Sequence, residues 1–257
     1  MKNAKPPRLG VQLYCLRDDC AKDLAGTIGK AAEMGYDGVE FAGYFGHPAR
    51  EIRKMLSDSG IAVAGTHIPF ETLLGDELMK TVDFNLETGN SLLIVPGLRE
   101  EHRSSLDAWK RTAGTLNDIA SKIAGQGLRL GYHNHTVEFA KMDGQVPYEL
   151  LFSLTRPEFL MQLDLGLAEE AGMDAVGLLK RYPGRGYSIH AKEYSRTKPD
   201  AYIGEGDVRW GEIIRTCAEV SGTEWYIVEY EMQKGDAFEN LRTCLENFRR
   251  LFRAEST

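Results

Sequence analysis

The sequence predicts a single (β/α)8 barrel of the α/β class. Short β-rich apolar runs alternate eight times with longer segments of helical periodicity. Successive runs start roughly 23–38 residues apart, about the length of one βα unit. The chain has 257 residues, and one such barrel usually takes roughly 250.

The expected strands cover residues 9–16, 38–41, 61–68, 91–95, 128–133, 159–163, 187–191 and 225–229. Runs such as SLLIV and WYIV are apolar at nearly every position, as in parallel strands covered by helices on the outside. Between the runs, Leu24, Ile28, Ala31 and Met34 recur at three- and four-residue steps. Leu106, Trp109, Leu116, Ile119 and Ile123 form a second stripe, and Phe238, Leu241, Leu245 and Phe248 a third. Each stripe marks an amphipathic helix with one face on a core. Gly125 or Gly127 is placed to end the second of these helices. The rival fold, an open doubly wound sheet, usually carries a G-x-G-x-x-G turn after an early strand. Here the first run leads out through Cys15-Leu16-Arg17-Asp18 instead. No linker or break in composition interrupts the chain, so one domain over residues 1–257 is expected.

Composition narrows the partners. Hydrophobic residues make up 42%, as in ordinary globular proteins. A net charge of −7 argues against a nucleic-acid or anionic-membrane surface. The four cysteines, Cys15, Cys20, Cys217 and Cys244, form no C-x-x-C pair, and a reduced cytoplasmic setting is the simpler expectation. The N-terminal MKNAKPPRLG has no apolar stretch after its charges, so no signal peptide is expected. No apolar run approaches the roughly 20 residues that span a bilayer.

Barrel enzymes build their sites at the C-terminal ends of the strands. The last four runs all end in residues able to hold a metal. The fifth reaches His133-Asn134-His135 with Glu138 beyond, and the sixth ends at Asp164. The seventh ends at His190 with Lys192 beyond, and the eighth at Glu229 with Glu231 beyond. Imidazoles and carboxylates converging from neighbouring strands suit Mn, Co, Fe or Zn better than Ca. Each residue also has a plainer role: Asp164 as a helix cap, His133 and His190 as hydrogen-bonded interior histidines. Glu229, directly after WYIV, is harder to place that way, because an unpaired buried carboxylate is costly.

Across nearly the whole chain the sequence resembles the sugar phosphate isomerase/epimerase family, the xylose-isomerase-like barrels. The resemblance rests on LGVQLYCLRD, MGYDGVEF, GYHNHTVEF, QLDLGLAEEAGMD, SIHAKEY, GEGDVRW and IVEYE. It implies a divalent metal held by an acidic residue on the fifth strand, an Asp on the sixth, a His on the seventh and a Glu on the eighth. Asp164, His190 and Glu229 match. On the fifth strand His133 stands where many relatives have Glu, so the resemblance leaves His133 or Glu138 as that ligand. It implies proton abstraction beside the carbonyl of a sugar, keto-sugar or polyol-like substrate, giving isomerisation or epimerisation. Alternatives on the same barrel are a lyase or dehydratase acting on inososes or 3-keto-glycosides, a non-catalytic sugar-binding barrel, and the nuclease branch, which the charge disfavours. Glu138 and Glu229 are the acid/base candidates. His135 is a candidate partner for a substrate hydroxyl and Lys192 for a negative oxygen. His67 and Glu205 are candidate substrate contacts, while Trp210 and Trp225 read as packing residues. A homo-oligomer is left open.

Overall fold

The computed structural model describes residues 7–232 and 235–256. Residues 1–6, part of the stretch read for a leader, lie outside them. Eight parallel strands form the barrel: β1 (Arg8–Gln12), β2 (Gly38–Ala42), β3 (Ala62–His67), β4 (Leu92–Val95), β5 (Arg129–His133), β6 (Leu160–Gln162), β7 (Ser188–Ala191) and β8 (Trp225–Val228). The ladder runs β6-β5-β4-β3-β2-β1-β8-β7. Sparser backbone bonds close the ring between β6 and β7. Met161 N donates to Arg185 O at 2.8 Å and His190 N to Leu163 O at 2.9 Å, and Asp164 bridges His190 in parallel register.

All eight expected strands are present, with one change at the first. The strand stops at Gln12, and Leu13–Leu16 coil into a 3-10 turn. The Gln12 side chain accepts a hydrogen bond from Tyr14 N at 3.0 Å and so starts that turn. Leu13 and Leu16 are buried beneath it, so the apolar run continued past the strand. The long helix Leu106–Ile123 ends through a short 3-10 segment, with Gly127 at φ +80° as the left-handed stop. No helix among the described residues is long and apolar enough to cross a membrane. The four cysteines are free.

Two-residue alternation decides what each strand sends inward. The lower interior is apolar, with Ala64, Trp225 and Ile227 in one cluster and Leu92, Ile94 and Leu160 in another. Glycines leave room for these side chains. A Cβ on Gly38 would sit 2.5 Å from the Trp225 ring, and one on Gly131 would sit 2.7 Å from Ile94 Cδ1 and 2.9 Å from Leu160 O. Two residues further along, the same strands turn polar: Gly38 gives way to Glu40, Gly131 to His133, Leu160 to Gln162 and Ile227 to Glu229. The barrel is therefore an apolar plug with a polar layer at its C-terminal end. Gly131→Ala is expected to destabilise the fold by about 1–3 kcal/mol, because a backbone oxygen as well as a side chain must move. Denaturant unfolding measures it, and an unchanged midpoint would show that β5 and β6 part freely.

Candidate active site

The polar layer converges on two connected centres. In the first, His133, Asp164, His190 and Glu229 are all buried and offer ligand atoms within 4.8 Å of one another. Asp164 is held at the start of the helix Leu165–Glu170, whose Leu167 N donates to its Oδ1 at 2.8 Å. The other oxygen, Oδ2, lies 4.0 Å from His190 Nδ1, beyond hydrogen-bond reach. Asp164 Oδ2 and His133 Nδ1 are both buried without a hydrogen-bond partner among the described residues. Leaving such an atom unsatisfied costs about 1–3 kcal/mol. Glu229 Oε2 lies 2.7 Å from His190 Nδ1, and Lys192 Nζ donates to Glu229 Oε1 at 2.8 Å.

The second centre was not singled out from the sequence. Glu40 on β2 is fully buried in the barrel axis. Its Oε2 accepts from Gln12 Nε2 at 2.8 Å and lies 2.7 Å from His190 Nε2 and 3.1 Å from His67 Nε2, whose hydrogen bond goes to Gln162 Oε1 at 2.7 Å. Its Oε1 accepts from Gln162 Nε2 at 2.6 Å. Gly65 makes the space, since a Cβ there would lie 2.9 Å from Glu40 Oε1. The His67 and His190 rings stack with centroids 5.2 Å apart. Glu40 thus fixes the ring of His190 from the side opposite Glu229.

The electrostatics follow from this geometry. Burial alone would raise Glu40, but the imidazoles of His67 and His190 outweigh it and hold the carboxyl well below the usual range. Burial would likewise raise Glu229, and the His190 hydrogen bond and the Lys192 charge pull it well below. His190 is raised to about 10, because Glu40 and Glu229 overcome the burial that favours its neutral form. His133 is driven down by burial and by its neighbouring imidazoles, so it stays neutral near pH 7. Asp164 is raised to about 7, mainly by burial, with Lys192 opposing.

These residues fit a divalent cation. Two imidazoles and two carboxylates are an ordinary donor set for Mn, Co, Fe or Zn. Two members of that group, His133 and Asp164, each carry a buried atom without a hydrogen-bond partner, as expected where a cation would bind. A carboxylate behind a ligating histidine is the usual support for such a site.

The other sequence candidates fall in different places. Glu138 is buried but engaged elsewhere: its Oε1 accepts from Tyr132 Oη at 2.9 Å and its Oε2 from His135 N at 2.8 Å. It stands outside the four-residue group and tethers the loop that carries His135. A cavity of about 730 Å³ opens over the site, and His67, His133, His135, Lys192 and Glu229 all line it. Glu205 does not. It pairs with Lys198 and accepts from Tyr202 N at 3.3 Å. The loop around it is organised by Glu193, which accepts from Gly204 N, Val208 N and Trp210 Nε1. Trp210 and Trp225 are buried.

A family model described as xylose isomerase-like TIM barrel matches residues 28–251. A sugar phosphate isomerase/epimerase from Parabacteroides distasonis superposes with a TM-score of 0.80 at 24% identity, over 94% of this chain and 97% of that one. An AP endonuclease, family 2, from Brucella melitensis superposes with a TM-score of 0.73 at 18% identity, over 92% and 97%. The rhizopine catabolism protein MocC of Rhizobium meliloti is 22% identical, over 82% of this chain and 75% of that protein. At these identities the solved structures speak for the fold alone.

Proposed function

The chain belongs to the xylose isomerase-like TIM barrel family, and from that premise we propose a divalent-metal-dependent isomerase or epimerase that moves a proton next to the carbonyl of a sugar, keto-sugar or polyol-like substrate. One observation carries the reading. His133 and Asp164, each with a buried atom that lacks a hydrogen-bond partner, form one group with His190 and Glu229 beneath a substrate-sized cavity. In this reading His133, rather than Glu138, is the fifth-strand ligand, alongside Asp164, His190 and Glu229. A metal bound there would polarise the substrate carbonyl as a Lewis acid.

The chain's own groups do the rest. Glu229 lines the cavity at the strand-end group, and in this reading its carboxylate takes the proton from the carbon beside the carbonyl. The electron pair of that C–H bond moves toward the carbonyl oxygen, and the Lys192 ammonium at the cavity wall faces the growing negative charge. Delivery of the proton to the former carbonyl carbon, while the adjacent hydroxyl gives up its proton and the former carbonyl oxygen gains one, gives isomerisation. Delivery to the opposite face of the same carbon needs a second group, and His135 is the candidate. Glu138 supports that step by holding the His135 backbone. The net charge of −7 favours a small substrate over nucleic acid.

Metal-loaded protein incubated with a panel of keto-sugars in D2O is expected to place deuterium beside the carbonyl of recovered substrate and product. Product formed without any incorporation would overturn the proton-transfer reading.

A further inference from the structure

We propose that the cavity contains a second subsite, beside the charged floor, for an apolar cyclic aglycone, so that the substrate is a glycoside that carries the reacting carbonyl on its sugar ring. This rests on the sugar-directed reading above. A cavity of about 730 Å³ lies within the roughly 300–1,000 Å³ of pockets that enclose drug-sized ligands, and a single hexose occupies only part of it. His133, His135, Lys192 and Glu229 line the strand-end region. A further part of the wall comes from the segments after β2 and β3 and from the helix Glu77–Thr88; its apolar members are Tyr44, Ile68, Pro69 and Phe84, and its charged member is Lys80.

The aromatic wall is fixed in place. Tyr44 Oη donates to Asn85 Oδ1 at 2.7 Å and lies 2.9 Å from Thr66 Oγ1, which uses the hydroxyl and leaves the ring as an apolar face. Phe84 lies against that ring at 4.5 Å between centroids, and Phe41 at 5.1 Å. The polar side chains on this wall already bond within the protein, Lys80 Nζ among them, donating to Glu77 Oε1 at 2.7 Å. Thr72 Oγ1 donates to Pro69 O, Thr81 Oγ1 to Thr72 O and Asn85 Nδ2 to Thr81 O, each at 2.8 Å. Asn85 Oδ1 also accepts from Asn90 Nδ2 at 2.8 Å. A second sugar ring would need several open donors and acceptors there. An apolar ring needs only the surface that is offered.

Titration calorimetry with matched phenyl and methyl glycosides of common aldohexoses, in both anomers, and with the corresponding disaccharides, tests this in the presence of Mn2+. The phenyl compound of the preferred sugar is expected to bind about tenfold more tightly than its methyl counterpart, from the added apolar area buried. Phe84→Ala should bring that ratio close to one, and Phe84→Leu should give an intermediate ratio because it keeps apolar bulk. Equal phenyl and methyl affinities, a preferred disaccharide or no glycoside binding would each overturn the subsite. Deuterium exchange on free keto-sugars without a phenyl preference removes the subsite alone. A phenyl preference without exchange removes the proton-transfer reading and leaves the subsite standing.

Discussion

Glu229→Gln is expected to lower turnover by about 10²–10⁴-fold, the range that a positioned acid or base supplies. The carboxylate sits between two nitrogen groups, with His190 Nδ1 at 2.7 Å from one oxygen and Lys192 Nζ at 2.8 Å from the other. Gln keeps the shape but neither the charge nor the basicity. The loss can arise through the proton step or through a weakened metal, and two readouts separate them. Bound metal measured by elemental analysis reports the ligand role. Deuterium exchange at saturating metal reports the base role. Loss of exchange with metal restored assigns Glu229 to the proton, whereas restored exchange assigns it to the metal. Turnover within a few-fold of wild type, at unchanged metal content, would remove Glu229 from both roles.

Asp164→Ala makes the complementary comparison, because Asp164 carries two separate duties. Read along the chain, cap and ligand look like alternatives. In three dimensions Oδ1 caps Leu167 while Oδ2 remains unpartnered. Bound metal is expected to fall sharply in the variant, together with a loss of about 0.5–2 kcal/mol from the missing cap. A variant with unchanged metal content would place the ion elsewhere.

Much of the barrel was legible because each strand–helix unit announces itself: SLLIV and WYIV are buried over their whole strand segments. The first strand was read four residues too long, since hydrophobicity reports burial and not backbone form. The strand-end residues were legible for a related reason, as the barrel brings the ends of neighbouring strands together. The choice between His133 and Glu138 was not, because it turns on the loop after β5. The short turn Val137–Phe139 aims Glu138 at Tyr132 and at the His135 backbone. Gly206, beside Glu205, serves the packing around Glu193: a Cβ there would sit 2.3 Å from Tyr194 O and 2.6 Å from Glu193 Oε1. Glu40 was passed over, although its signal was present. A lone carboxylate inside GVEFA raises the same question of burial cost that drew attention to Glu229 after WYIV.

Glu40→Gln is therefore the sharper test of how the site is supported. Nitrogens of Gln12, Gln162 and His190 reach the two oxygens of Glu40 within hydrogen-bond distance, and His67 Nε2 lies 3.1 Å from Oε2. Gln offers one accepting oxygen and turns an NH2 group toward donors, so some of these bonds must break. Removing one partner of a buried charge pair costs about 3–5 kcal/mol when the other stays charged. Loss of a carboxylate behind a metal-binding histidine weakens metal affinity or activity by about 10–100-fold. The expected result is lower stability to denaturant, weaker Mn2+ or Co2+ binding and an altered visible spectrum of the Co2+ form, because His190 no longer has a fixed orientation. Glu40→Asp keeps the charge with a shorter reach and should recover part of the metal affinity. If Glu40→Gln lowers stability but leaves metal affinity and the Co2+ spectrum unchanged, Glu40 only holds the barrel centre together. If all three change and Glu40→Asp restores them in part, the carboxylate on β2 sets the metal-binding geometry of the histidine on β7.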